Sequence, residues 1–148
     1  MKNTDEDWLA ATFEPPVADQ SLAYNAMFEI NVLNRCSNMF PEVQSWWKST
    51  QDRFIDLLQP FRNFDYYAPG QHGSASMKAV LPALCGVGYE DLTVQDGTAA
   101  SRAFLRATFD EVTADEKDRI RKNLELYCHR DTEGMIFILR ELRRLIES

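Results

Sequence analysis

Long apolar runs are missing from this sequence: uninterrupted hydrophobic stretches reach only a few residues, well short of the roughly 20 that cross a bilayer as a helix. The amino terminus, Met1-Lys2-Asn3-Thr4-Asp5-Glu6-Asp7, has no apolar core of a secretory leader. A cytoplasmic chain with no membrane partner is therefore expected. Cysteine is scarce. Cys36, Cys85 and Cys128 are an odd count with no Cys-x-x-Cys spacing, which excludes a disulfide framework and leaves reduced thiols. With His72 and His129 they show no zinc-finger spacing, and Cys36 and Cys128 fall on or beside apolar faces as core cysteines do. Basic charge is in deficit. Sixteen Lys and Arg against 23 Asp and Glu leave a net charge of −7, so the chain has no bulk electrostatic grip on nucleic acid. An acidic chain can still meet nucleic acid through a divalent metal, which supplies the positive charge. Gly86-Val87-Gly88 is too short for a dinucleotide loop. No repeat or low-complexity tract is present. What remains is 148 residues, 45% hydrophobic and 26% charged, the profile of one folded domain spanning 1–148.

Local signals predict a mostly helical order. Thr4 to Phe13 reads as a short helix with a Thr4–Asp7 capping box, ended by Pro15 and Pro16. Ser21 to Tyr24 reads as a short buried strand, and Asn25 as the N-cap of a helix reaching about Asn38. Pro41 opens a further helix. From Pro41 to Phe61 two patterns compete. Val43, Trp46, Trp47, Phe54, Leu57, Leu58 and Phe61 keep helical spacing, yet Arg53-Phe54-Ile55 before Asp56 reads as a strand with a new N-cap. Asn63 to Gly73 is an aromatic-rich loop. Met77–Leu84 is a helix, capped by Ser74 or Ser76, shortened or kinked by Pro82 and ended by Gly86. Asp96 or Thr98 opens a helix near Ala99–Thr108. The last helix covers Asp115 to Glu147, with Thr113 as cap. Trp46 and Trp47 are adjacent, so both cannot face the core of one helix.

Two carboxylates sit where apolar residues belong. The last helix carries the stripe Ile120, Leu124, Tyr127, Met135, Ile138, Leu142, Leu145, and the position missing from it is Asp131. A lone buried carboxylate needs a cation, a metal or several donors. Capping or bridging a neighbouring helix, or pairing with an Arg in a structural bundle, would also satisfy it. In the first long helix Glu29 heads the stripe Val32, Leu33, Cys36, Phe40. Complementing the helix dipole is the simpler role for Glu29. Together the two acids could share a hard cation, Mg²⁺ or Mn²⁺, which lets carboxylates stand close.

Tyr24-Asn25-Ala26-Met27-Phe28-Glu29 resembles the second motif of the DEDD superfamily of ribonuclease-H-like 3′–5′ exonucleases. Tyr127-Cys128-His129-Arg130-Asp131-Thr132 resembles the third motif of its tyrosine-bearing version. Phe54-Ile55-Asp56-Leu57 resembles the strand-to-helix step of that fold. His72-Gly73-Ser74-Ala75-Ser76-Met77-Lys78-Ala79-Val80-Leu81-Pro82 resembles a GSxSxKxVLP signature of a bacterial domain-of-unknown-function family placed beside these nucleases. The resemblance spans about residues 21–142. It implies an α/β fold, predominantly helical, of the ribonuclease-H-like kind. It implies Asp131 as a direct metal ligand, Glu29 in the second acidic metal position, and Tyr127 orienting the attacking water. Asn25 and Lys78 would contact substrate. Nucleic-acid phosphodiesters would be cleaved with two Mg²⁺ or Mn²⁺ ions.

The family's first motif, Asp-x-Glu on an initial strand, has no counterpart. Asp5-Glu6-Asp7 stands in a polar helix start, and Glu14 precedes two prolines. The expectation is an incomplete fold lacking its first strands, inactive as this chain, either a C-terminal piece or a shortened relative. Nucleic acid would be met through the full-length protein. The exposed sheet edge would be covered by a missing N-terminal segment or by a second copy. The rival reading is a non-catalytic helical interaction domain, which accounts for the missing motif, the negative charge and the Trp pair without chemistry.

Overall fold

The computed structural model describes residues 20–146; the helix expected over Thr4–Phe13 lies outside them. The chain divides into two compact units, the first ending at Leu57 and the second running from Leu58.

The first unit is one strand–helix–strand crossover. Strand β1, Ser21–Ala23, leads into helix α1, Ala26–Met39. A 3₁₀ turn at Pro41–Val43, helix α2 at Gln44–Thr50 and a second 3₁₀ turn at Gln51–Arg53 return the chain to strand β2, Phe54–Asp56. The strands pair in parallel, Ser21 opposite Phe54 and Ala23 opposite Asp56, and a parallel pair requires such a crossover. Between the two patterns that competed over Pro41–Phe61, each won part of the stretch. Trp47 explains where the helical part ends. It is buried, its Nε1–H donates to Asn34 Oδ1 at 2.6 Å, and its ring meets Phe54 edge-on at 6.1 Å.

Asn25 takes the N-cap position of α1 as expected, whereas Asp56 is not the N-cap of the helix that follows β2. Asn25 precedes α1 in the left-handed region, φ 71°, and its side chain makes no capping bond. Its backbone N–H donates instead to Asp56 Oδ1 at 2.8 Å. Asp56 therefore ties the two strand ends together. The next helix, α3 at Gln59–Arg62, starts after Leu58 with Pro60 in its first turn.

The second unit is helical. After α3 and a 3₁₀ turn at Pro69–Gln71 come α4, Met77–Cys85, then α5, Gly97–Phe109, and α6, Ala114–Ile146. Gly86 stops α4 with φ 70°. Asp96 caps α5, accepting from the Ala99 N–H at 2.8 Å, and Thr113 Oγ1 accepts from the Glu116 N–H ahead of α6. The 33 residues of α6 pack along both α4 and α5. Val80, Leu81 and Ile138 are fully buried at the α4–α6 contact. Gly134 makes that contact close: a Cβ there would stand 2.7 Å from both Leu81 Cδ2 and Met77 Cε. The molecule is thus predominantly helical with a small two-stranded parallel sheet, consistent with the α/β class. Among the described residues no helix is long and apolar enough to cross a membrane.

Candidate functional site

The broken stripe of α6 marks a polar cluster in the second unit. Asp131 is half-buried, and the Tyr89 hydroxyl donates to its Oδ1 at 2.6 Å. Tyr127, one turn earlier, faces the same carboxylate. Burial and then the Asp131 charge push the Tyr127 hydroxyl up to about 12. The Tyr89 hydroxyl is raised further, by burial first and then by its bond to Asp131. The two tyrosine rings lie 6.0 Å apart. Asp131 is thus partnered by a tyrosine hydroxyl; the Arg pairing and the helix bridge considered for it are both corrected. The neighbouring Arg130 turns elsewhere. Its guanidinium takes Asp91 with both terminal nitrogens, at 2.9 and 3.1 Å, and also donates to the Gly88 carbonyl.

Those bonds explain how a loop residue comes to hold Asp131. After Gly86 the chain leaves α4, and Arg130 anchors it on α6 through Gly88 and Asp91. Tyr89, between the two anchors, is buried against Tyr127. The Asp131 carboxylate would otherwise lose hydration without compensation.

Lys78 and Asp96 extend the cluster. Asp96 is held below the usual carboxylate range by the Ala99 N–H it caps and, more weakly, by the Lys78 ammonium. Its charge in turn reaches Tyr127. Gly97 lies beside that residue, since a Cβ there would be 3.8 Å from the Tyr127 hydroxyl. Tyr127 and Asp131 thus stand together on the middle of α6, with Asp96 of the α5 cap acting on Tyr127 and Lys78 of α4 acting on Asp96. Tyr89 and Asp96 belong to the cluster without having been singled out for it. Asp96 showed itself only as a helix cap, and Tyr89 sits in an aperiodic loop.

Asn25 and Glu29 belong to the first unit, at the C-terminal end of the parallel strands, where open α/β sheets place ligands. Glu29 is half-buried, and its Oε2 has no hydrogen-bond partner among the described residues. Burial raises its carboxyl above the ordinary range, and the Asp56 charge adds to this. Tyr24 is raised by burial and then by Asp56 as well. Asp56 is the acid here that spacing did not mark; its position at a strand end was the available signal. Among the described residues, no three or more His, Cys, Asp or Glu side chains stand together as metal ligands. Cys128 is exposed rather than packed in the core, a correction, while Cys36 and Cys85 are partly buried.

Residues 5–76 match a family described as Domain of unknown function (DUF2779). The match contains Asn25, Glu29, Asp56 and the Gly-Ser-x-Ser run, and stops before Lys78, Tyr127 and Asp131. No curated protein and no solved structure matches the chain.

Proposed function

We propose that this chain is a nuclease-like domain, related to the metal-dependent 3′–5′ exonucleases acting on nucleic-acid phosphodiesters, and that it is inactive on its own. The observation that carries the reading is the Asp131 cluster: an acid on a helix stripe, a tyrosine one turn before it and a second tyrosine hydroxyl bonded to the carboxylate. The strand–turn–helix that places Glu29 supports an incomplete ribonuclease-H-like fold, with strands open to a further segment or a second copy.

Each side chain has a chemical part. The Tyr127 hydroxyl, pushed up to about 12, stays protonated at neutral pH and can donate to a water or a phosphate oxygen. The exposed Lys78 can neutralise a phosphate. Tyr89 fixes the direction of the Asp131 carboxylate. Mg²⁺ or Mn²⁺ would polarise the phosphodiester and activate water. The described residues offer no three-ligand set for either ion, so as it stands the donor set does not fit a resident metal, and cleavage needs carboxylates from elsewhere.

Paramagnetic broadening by Mn²⁺ tests the reading on the chain itself. Weak, saturable broadening centred on Asp131, abolished in Asp131→Asn, is expected. Broadening that Asp131→Asn leaves unchanged overturns the assignment. In the full-length protein the same variant should lower cleavage of a single-stranded oligonucleotide at least about 100-fold, as the loss of charge-stabilising groups does elsewhere.

A second reading, a non-catalytic helical interaction domain, has its own observation. Helix α1 leaves Met27, Phe28, Val32 and Met39 largely exposed, an apolar face of the kind that marks contact surfaces. It predicts no Mn²⁺ response at Asp131.

A further inference from the structure

We propose that the loop between α3 and α4 is a stacking pocket for one base of a single-stranded nucleic acid, with Arg62 on the adjoining phosphate. The assignment rests on the nucleic-acid reading above for its class of ligand and adds a site that the acids on the helix stripes do not touch. A cavity of about 150 Å³ opens in the second unit between Phe61, Arg62, Phe64, Tyr67, Gly73 and Ser74. Its floor is apolar, since Phe61 is buried and braced edge-on by Tyr66 at 5.9 Å. Its wall is aromatic and wet. Phe64 is 71% exposed and Tyr67 45%, with ring centroids 6.0 Å apart.

The backbone fixes where this exposed phenylalanine stands. Phe64 has φ 61°, a left-handed conformation that bulky side chains avoid. It is the residue after the Asn63 C-cap that ends α3, with its N–H donating to the Phe61 carbonyl at 3.4 Å and the Tyr66 N–H to the Pro60 carbonyl at 3.1 Å. The loop is also fixed from beneath. Gln71 is 2% exposed; its Oε1 accepts from the Ala68 N–H at 2.8 Å and its Nε2 donates to the Ser74 carbonyl at 3.2 Å. The Gly73 N–H donates to the Tyr67 hydroxyl at 3.2 Å, which sets the position of that ring. Gly73 itself has φ 78°. The aromatic wall is therefore held in place before any ligand arrives.

Charge selects the ligand. Arg62 forms no ion pair among the described residues, and Asp65, next to Phe64 in the chain, does not line the cavity. Aromatic faces, tilted 43° to each other, beside an unneutralised guanidinium fit a ring that carries an anion, which a nucleotide supplies and a proline-rich or aliphatic peptide does not. Every base has a π face, so the pocket tolerates any sequence.

The test uses the whole chain in EDTA, with adenosine 5′-monophosphate and a short oligodeoxyadenylate as probes. Ring-current shifts of the Phe64 and Tyr67 aromatic resonances are expected with both. Phe64→Ala or Tyr67→Ala should weaken oligonucleotide binding about 5- to 150-fold, the range for removing one stacking partner. Phe64→Trp should restore it. Phe64 is exposed, so its variants should keep the parent melting temperature, and a strand with abasic sites should bind the wild-type chain as weakly as the full strand binds Phe64→Ala. Still ring resonances with both probes, or ring variants that bind as tightly as the parent, overturn the pocket. The two readings fail separately. Mn²⁺ broadening at Asp131 with unmoved rings keeps the nuclease reading and removes the pocket. Ring shifts with no Mn²⁺ response keep the base site and remove the nuclease reading.

Discussion

Tyr89 and Asp131 meet across 42 residues of chain, and the energy of that contact can be bounded. A neutral hydroxyl donating to a carboxylate at 2.6 Å is a charge-assisted bond, worth about 1.5–3 kcal/mol net when sheltered from water. A double-mutant cycle of Tyr89→Phe and Asp131→Ala, read from urea midpoints, should give a coupling energy in that range. A value under about 0.5 kcal/mol would mean that water replaces the hydroxyl at no cost, and Tyr89 would hold nothing in place. Alkaline pH probes the same cluster. The Tyr127 hydroxyl titrates near 12 in the fold and near 10 when unfolded. Above pH 10 the unfolded chain therefore releases protons that the fold retains. Stability should be full below pH 10 and fall between about pH 10 and 12, with Tyr89 extending the loss upward. Tyr127→Phe should flatten that fall, as followed by denaturation at stepped pH; an unchanged slope would place the hydroxyl in water. The α6 half of this cluster was legible in the sequence because a helix period makes a misplaced aspartate visible. Tyr89 was not, because a loop has no period to break.

Helix α6 shows what periodicity captures and what it passes over. It marked Ile138, which is fully buried. It gave no weight to Gly134, the point where α4 comes nearest, since a glycine adds nothing to an apolar stripe. Gly134→Ala should destabilise. The new Cβ meets Leu81 Cδ2 and Met77 Cε at 2.7 Å; the Met77 end can move aside, but Leu81 is fully enclosed. Overpacking costs about 1–3 kcal/mol, and the gain in helix propensity returns about 1. A net loss of up to about 2 kcal/mol in chemical denaturation is expected. A stabilised variant would show that α4 yields. The first unit carries the converse lesson. Of the stripe headed by Glu29, Val32 and Phe40 end up exposed, and the buried positions of α1 are Ala26 and Ser37. Apolar spacing says which side chains favour burial, whereas the area that a two-strand sheet and a seven-residue helix offer decides how many are covered. In sequence Asp56 reads as the N-cap of the next helix, a position that Leu58 holds. The Asp56 Oδ1 accepts from the backbone N–H of Asn25, 31 residues earlier, a long-range partner that local spacing does not reveal.

For the whole molecule, the helical bias and the two short strands could be read from the chain, but their parallel pairing and the division at Leu57 could not. Domain limits are sought in polar, Pro- or Gly-rich linkers, and this one falls inside Ile55-Asp56-Leu57-Leu58, where β2 runs directly toward α3. Net charge sets how such a molecule can hold nucleic acid. At −7 its mean field repels a polyanion, so binding must come from a few local contacts. Arg62 beside the aromatic wall and Lys78 near Asp96 are two such cations in the second unit. Each phosphate neutralised on a single strand contributes about −0.7 to the slope of log K against log salt. One or two contacts therefore predict a slope between about −0.7 and −1.4, with stacking supplying the rest of the affinity and remaining insensitive to salt. Arg62→Gln should lower the slope by about 0.7, whereas Phe64→Ala should lower affinity and leave the slope alone. A titration of fluorescent oligonucleotide at several salt concentrations separates these effects. A slope steeper than about −3 would require four or more phosphate contacts, hence a basic face that two cations cannot form, and the stacking account of recognition would give way to an electrostatic one.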